Sequence, residues 1–532
     1  MYFTLTASKD TYITNKVISN IFSASDANVG RASTLDFFKL YDESALSGVD
    51  KPIELSRALI KFDFDRINTL LSKSLNLNGS DFKCYLKLHD IMGGQMTPTN
   101  FKISLFPLSQ SFDEGIGRNV TSFSDVGASN FFTASYSNSA NVLWYASGAN
   151  KQGNIDKTSL TGYPEEIDII ISGNLNDGDG SKSLEASQTF IKGNEDLRID
   201  VTTIVSATVA GILPDAGWRL SFTGSEENDT KTRFVKRFAS RHVRDTSIAP
   251  RLEVIYDDSI KDQQNGMFFD LSGSVFLKNF HRGVPANILS GGFANTQTEV
   301  TGNDCIVLKI QSGSFIRHVS ASQHQEGTRW YNHRTNESYN FVTGVYSASF
   351  TVSSLDTGII TGSTRIIDYV KASGSLTFDA IWSSPDLTVS YLTSSLTFKR
   401  LDSTSFNMNP KRVDLIVTNA KSSYKLTEKP FFRVFVRDFA AEEKKSKLPY
   451  SLSSVILEEV YYRVRDAESG KIWIPFTKEG NGTRLSSDSE GMFFEFYMDT
   501  LAKGRTYDID FLIKDSGIEL IQEAKNVRFR VE

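Results

Sequence analysis

The side chains best equipped for chemistry in this chain are basic, and they cluster late in its first half. Lys231, Arg233, Lys236, Arg237, Arg241 and Arg244 gather around Phe234 and Phe238. Cations interleaved with aromatic rings can grip a nucleic-acid strand or an acidic glycan, the charges meeting anionic groups while the rings stack. The same pattern arises when both phenylalanines are buried and the cations face water or pair with Glu226, Glu227 and Asp229. In an assembly, such a patch would meet an acidic surface of a neighbouring subunit. Nucleic acid is the weakest of these readings, because a net charge of −5 gives the whole molecule no pull towards a polyanion.

Other chemically capable groups fall short of a site. Asn174-Leu-Asn-Asp-Gly-Asp-Gly with Glu185 suggests a calcium loop, but aligning Asp177 and Asp179 as third and fifth ligands puts Leu175 first. A hairpin tip rich in Asp and Gly is the better reading. His318, His324 and His333 fall around Trp330 and Tyr331 at spacings that match no zinc motif. The chain has no nucleophile elbow, phosphate-binding loop, H-E-x-x-H helix or Cys–His arrangement. Its carboxylate neighbours, Asp113–Glu114 and Glu165–Glu166, sit on expected loops. The reading is of a non-enzyme that needs no cofactor. Trp144, Tyr145, Arg233, Arg237, Arg241, Trp330 and Tyr331 are its candidate interface or glycan contacts.

The elements that must position these residues read as strands. Thirty-eight Phe and nineteen Tyr against seven Met favour β structure. In SRALIKFDF, the residues Ala58, Ile60, Phe62 and Phe64 share a face, and in FKISLFPL so do Phe101, Ile103 and Leu105. TYITN (Thr11 to Asn15) reads as an edge strand, and Asp65 to Ser74 as a short helix. From Gln110 to Gly162 runs a long polar segment sprinkled with aromatics, which in a compact domain serves a purpose or is pinned by a neighbour. Between Asp196 and Asp257 the pattern is strand, short helix, strand, charged loop and strand. Thr202 is placed to cap the helix, and Leu252, Val254 and Tyr256 alternate with Arg251, Glu253 and Ile255.

That stretch carries a resemblance. DVTxxV, then Phe238–Ser240–Arg241 and Pro250-x-Leu252-x-Val254-x-Tyr256, resembles the end of a DNRLRE-type jelly-roll module. SRALIKFDFD (Ser56 to Asp65) and FKCYLKLHDI (Phe82 to Ile91) resemble earlier strands of the same module, with Lys83 where the module has a small residue. The likeness covers roughly the first half of the chain. It implies a jelly-roll fold, of a kind found on bacterial surface proteins and bacteriophage virion proteins.

At 532 residues the chain is too long for one core, and three domains are expected. The fold class is all-β, as three tandem β-sandwiches: a jelly roll over 1–258, an immunoglobulin-like sandwich over 266–401 and a C-terminal sandwich over 402–532. Residues 259–267 read as a polar linker, and Ala441 to Pro449 as a solvated loop. Repeated Ser-Gly pairs mark turns in the middle domain, and Gly470 closes a hairpin in the last. The two cysteines, Cys84 and Cys305, lie in different domains and read as buried thiols. No signal segment is expected at Met1, and no run of apolar residues is long enough to span a membrane.

Together these features point to a non-enzymatic structural protein of a phage particle, in the tail, neck or baseplate over a capsid decoration. Its partners would be other virion proteins and further copies of itself, with no role for membrane. The alternative is a glycan-binding adhesin or receptor-binding protein.

Overall fold

The computed structural model describes the chain except for residues 20–21, 42–52, 72–74, 76, 78–80, 93–99, 122–126, 157–165, 176–180, 232–233, 265, 291–297, 333–336, 401–412, 440–453 and 516–517. Strands dominate the described residues and the helices among them are short, so the protein is all-β. The loop Asn176–Gly180 and the charged block Ala441 to Pro449 lie outside the described residues.

The first strand, Tyr2–Thr14, joins two sheets into a sandwich. Residues Tyr2–Thr6 pair antiparallel with Arg251–Ile255, which continues through Lys83–Leu88 to Leu197–Asp200. After a shift between Ala7 and Lys9, the rest of the strand pairs with Ile53–Phe62. That second sheet continues through Trp218–Ser221 and Phe101–Pro107 to Ala186–Phe190. An irregularity of this kind bends a strand, which lets one strand serve both layers. Thr11–Thr14 thus lies at the end of the second sheet's order.

The alternation seen in sequence sorts the two faces. Phe3, Leu86, Leu252 and Val254 point inward from the first sheet and meet Ile60, Phe62, Leu105 and Leu220 from the second. Fully burying side chains of this size stabilises by roughly 1.5–3 kcal/mol each. The outer faces are also covered. Ile13, Leu59 and Phe106 on the second sheet pack under Phe112, Trp144 and Ile169 of the following long segment. Tyr2, Tyr85 and Ile255 on the first sheet belong to the core of the C-terminal domain, with Trp473, Tyr507 and Val460. Ile255, which alternation groups with Arg251 and Glu253, is therefore buried. Its face is solvent-directed only until the last domain docks.

The helix expected after Asp200 forms at Thr202–Val209, but Thr202 does not cap it. The Thr202 hydroxyl instead accepts from the Cys84 N–H at 2.9 Å, and Asp200 accepts from the Thr202 N–H at 2.8 Å. The strand beside the helix claims the hydroxyl first.

The middle domain is a seven-stranded path in which the long strand Phe315–Asn332 pairs with Ile306–Ser312 over one half and Glu337–Phe350 over the other. A helix at Ile366–Ser373, not read from the sequence, ends at Gly374, whose φ of 71° suits the left-handed position there. The C-terminal domain packs a four-stranded sheet against a five-stranded one around Phe432, Val434, Tyr462, Phe494 and Phe511. Gly470, at φ 69°, closes its hairpin, and Val464 pairs with Ile474 across it.

The segment read as a linker is tied down. The Ile260 carbonyl accepts from the Ser487 N–H at 2.8 Å, and the Ile260 N–H donates to the Ser486 hydroxyl at 3.2 Å. The N-terminal and C-terminal bodies meet so closely that glycine is required. A Cβ at Gly480 would lie 2.2 Å from the Asp81 carbonyl oxygen, and one at Gly482 would lie 2.6 Å from the Ile255 side chain. Tyr85 donates to Glu479 at 2.6 Å, Asn481 donates to Asp257 at 2.8 Å, and the Arg251 guanidinium sits 4.6 Å over the Trp473 ring.

Because Ile255 is fully buried between these two bodies, they should unfold as one cooperative unit. Ile255→Ala is expected to cost about 2–5 kcal/mol, and Ile255→Asp to split the calorimetric transition of the full chain in two. A single unchanged transition for Ile255→Asp would show that the shared core does not couple them.

Candidate functional site

The long segment after Pro107 is a strap folded over the second sheet, held by buried polar side chains. Asn28, fully buried, donates to the carbonyls of Glu114 and Ser129 at 2.8 and 2.9 Å and accepts from the N–H groups of Gly30 and Gly117. Asp168, also fully buried, accepts from the N–H groups of Tyr145, Ala146 and Lys151 at 2.8–2.9 Å. Asn130 accepts from the N–H groups of Phe132 and Thr133, and its carbonyl receives the Trp144 indole N–H at 3.0 Å. Buried polar groups cost stability unless bonded, and each of these fastens a turn while satisfying itself.

Two arginines complete the floor. They lie on the outer face of the second sheet, at positions that alternate with its core residues. Arg57 pairs with Glu227 at 2.8 Å and donates to the Gly148 carbonyl at 2.6 Å. Arg219 donates to the Ala149 carbonyl at 3.0 Å and to Asn150 at 3.1 Å. Burial, with Arg57 beside it, pulls Arg219 down to about 9. Lifting the strap would strip Arg219 of its acceptors at Ala149 and Asn150 and leave Arg57 with Glu227 alone.

What the strap presents outward is apolar. Phe132, Tyr136, Leu143 and Tyr145 project from or beside the hairpin formed by Thr133–Ser137 and Ala140–Leu143, each about half exposed. Ile116 is exposed on the same strap. A rigid group of exposed aromatic and aliphatic side chains marks a surface for contact with another body.

The residues singled out from the sequence separate into different roles. Trp144 is 5% exposed and is core, not surface, so stacking on a sugar or a partner at Trp144 is corrected. Its neighbour Tyr145 is exposed, with the Lys151 ammonium 5.7 Å from its ring. Arg233 lies outside the described residues. Trp330 and Tyr331 pair through the main chain with Tyr339 and Ser338. His318 is exposed and His324 packs its ring 5.0 Å from Phe276, where burial pulls it down to about 4, while His333 lies outside the described residues.

Half of the basic cluster is consumed internally, while Lys231 and Arg244 are exposed. Phe234 and Phe238 are buried, Lys236 is buried against Asp90 at 2.5 Å, and Arg237 meets Asp36 at 3.3 Å. Among the described residues, Glu227 pairs with Arg57, Asp229 with Lys39, and Glu226 accepts from the Lys102 N–H. Arg237 reaches Asp36 because the strand Val235–Ala239 lies beside Thr34–Tyr41.

Arg241 is part of a group not visible in sequence. Asp10, Glu114 and His242 converge with their donor atoms within 4.8 Å of one another, an arrangement able to hold a metal ion among the described residues. The charges argue for a different role. Arg241 holds Glu114 through two bonds of 2.6 and 2.8 Å, the Asp10 N–H donates to Glu114 at 3.0 Å, and His242 stands at 3.3 Å. Glu114 has no oxygen left for a cation without displacing the guanidinium. The group instead closes the edge of the first strand and anchors the strap's beginning. Asp10, which receives the Arg241 N–H at 2.5 Å, keeps one buried oxygen without a partner. Burial, aided by Glu114, pushes it up to about 7.

No family model matches the chain, and no curated protein matches it. Solved structures to which it is similar include the tandem Ig repeats of Dlar, at 8% identity, covering 52% of this chain and 96% of that one with a TM-score of 0.13. Another is a putative membrane anchored protein from Corynebacterium diphtheriae, at 8% identity, 100% and 97% coverage and a TM-score of 0.13. A third is an α-2-macroglobulin from Escherichia coli, at 9% identity, 94% and 29% coverage and a TM-score of 0.15.

Trp144→Ala removes a buried indole and is expected to destabilise by about 3–5 kcal/mol in denaturant unfolding. For Asp10 the folded-state value stands above the ordinary 3.8, so its contribution is full below about pH 4 and is lost as pH rises to about 7. The stability difference between the native chain and Asp10→Asn should therefore fall steadily across that window and level off above it. Denaturant midpoints in a pH series measure it, and a flat difference would contradict the assignment.

Proposed function

We propose that this protein is a non-enzymatic structural component of a phage particle, in the tail, neck or baseplate, and that it acts by docking its outer surfaces onto other virion proteins and copies of itself. The observation that carries this reading is the exposed group Phe132, Tyr136, Leu143 and Tyr145, presented by a strap that buried Asn28, Asn130, Asp168, Arg57 and Arg219 hold rigid. A preorganised apolar surface loses little freedom on association, which is what a permanent contact in an assembly requires. The close seating of the C-terminal domain on the jelly-roll-like sandwich gives the same advantage at larger scale.

The resemblance to jelly-roll modules, of a kind found on virion proteins, supports the particle. The alternative of glycan recognition is favoured by one observation, the exposed Tyr136 and Tyr145 rings, since aromatic faces also stack on sugars.

Imaging of purified particles is expected to find this chain at a defined position and symmetry, in stoichiometric amount. Its absence from the particle would sink the proposal. Tyr136→Ser combined with Tyr145→Ser should block incorporation while leaving the unfolding midpoint of the free chain unchanged, a loss of about 2 kcal/mol or more if these rings are anchors. Full incorporation of that variant would move the docking surface elsewhere.

A further inference from the structure

Beside the strap's beginning lies an open depression of about 730 Å³, lined by Arg31, Ala32, Ser33, Arg118 and His242. Both arginines are exposed, and among the described residues neither guanidinium has an ion-pair or hydrogen-bond partner. This sets them apart from Arg57, Arg219, Arg237 and Arg241, whose guanidinium groups are all engaged with acids or carbonyls.

The two segments that carry the free arginines are fixed side by side. The Arg31 N–H donates to the Gly117 carbonyl at 2.7 Å, and Asn28 bonds main-chain groups of both Gly30 and Gly117. Gly30 approaches so closely that an added Cβ would lie 1.9 Å from the Glu114 carbonyl oxygen. On the third side, the Ser240 N–H donates to the Ser33 carbonyl at 3.1 Å, and the Ser240 hydroxyl accepts from the His242 N–H at 3.1 Å. Local charge is positive. Glu114 is taken up by Arg241 in two bonds, and Asp10 behind it titrates near neutrality.

We propose that this depression is an oxyanion site that binds the carboxylate or sulfate group of a saccharide-sized ligand. Planar guanidinium forks match the oxygens of either group, and the bonds are charge-assisted. The volume suits a small molecule. Two free arginines on a chain of net charge −5 suit a single anionic group and not an extended polyanion. The site stands independently of the particle reading, because it concerns a different part of the surface and needs no partner protein.

The test is titration calorimetry of the full chain with glucuronate, a glucose sulfate ester and glucose, at constant ionic strength. Saturable binding of one or both charged sugars, with none for glucose, is the expected result, and their ratio tells carboxylate from sulfate. Arg31→Gln with Arg118→Gln should weaken that binding by about tenfold or more. Since neither side chain has a partner to lose among the described residues, the unfolding midpoint should not move. If the double variant fails to fold, Arg31→Lys alone should weaken binding by removing the fork while keeping the charge. Failure of both charged sugars to saturate, equal binding of glucose, or native affinity in the folded variants would overturn the proposal.

Discussion

The outer face of the first sheet decides the shape of the molecule. Tyr2, Tyr85 and Ile255 stand on a face that in an isolated sandwich would meet water, and here they fill the core of the C-terminal domain. Each such side chain is worth roughly 1.5–3 kcal/mol when fully buried. The hydrogen bonds around them do not add to this in proportion, since a protein–protein bond largely replaces one to water. What they add is register. Tyr85 to Glu479, Asn481 to Asp257 and the close approach at Gly480 and Gly482 allow one docking geometry and penalise others. The chain's N-terminal and C-terminal domains therefore form one body, although the middle domain lies between them in sequence.

The second sheet solves the opposite problem with different means. Its outer face carries Leu59 and Phe106 but also Arg57 and Arg219, so an apolar cap alone would leave Arg219 without its acceptors at Ala149 and Asn150 and Arg57 with Glu227 alone. The strap supplies Trp144 for the apolar positions and the carbonyls of Gly148 and Ala149 for the charged ones. Ala149 itself sits at a positive φ of 55°, an uncommon conformation for a residue with a side chain. The surrounding bonds over-determine it. A loop bound by so many directional contacts behaves as an added layer of the sandwich, and this is why its outward aromatic residues can form a surface of fixed shape.

Strand faces were largely legible in the sequence, because alternation is a local property. Ala58, Ile60 and Phe62 point inward as their spacing implies, and so do Leu252 and Val254. Failures occurred wherever a third partner decided the outcome. Alternation groups Ile255 with Arg251 and Glu253, and nothing local marks that face for burial, because the residues that cover it, such as Trp473 and Tyr507, lie more than two hundred residues further on. Thr202 looked like a cap because the competing donor, Cys84 N–H, comes from a distant strand. Trp144 and Tyr145 are adjacent and similar in type, yet one is core and the other surface, a difference set by which of them faces Leu59 and Ile13. The ion pairs were least legible, since Coulombic attraction acts across space and the sequence ranks partners only by separation along the chain.

Charge placement distinguishes the two sides of the strap's base. Towards the strand edge, Arg241, His242 and the Asp10 N–H all converge on Glu114, and one buried Asp10 oxygen is left without a partner. Towards the depression, Arg31 and Arg118 have no partner among the described residues, and Asn28 cross-ties the segments that carry them. Had Glu114 turned outward to meet either arginine, it would have left Arg241 half-buried without an acid and the Asp10 N–H without an acceptor. That cost keeps Glu114 in place. The Glu114–Arg241 pair thus both fastens the strap and keeps an acid engaged away from this basic surface.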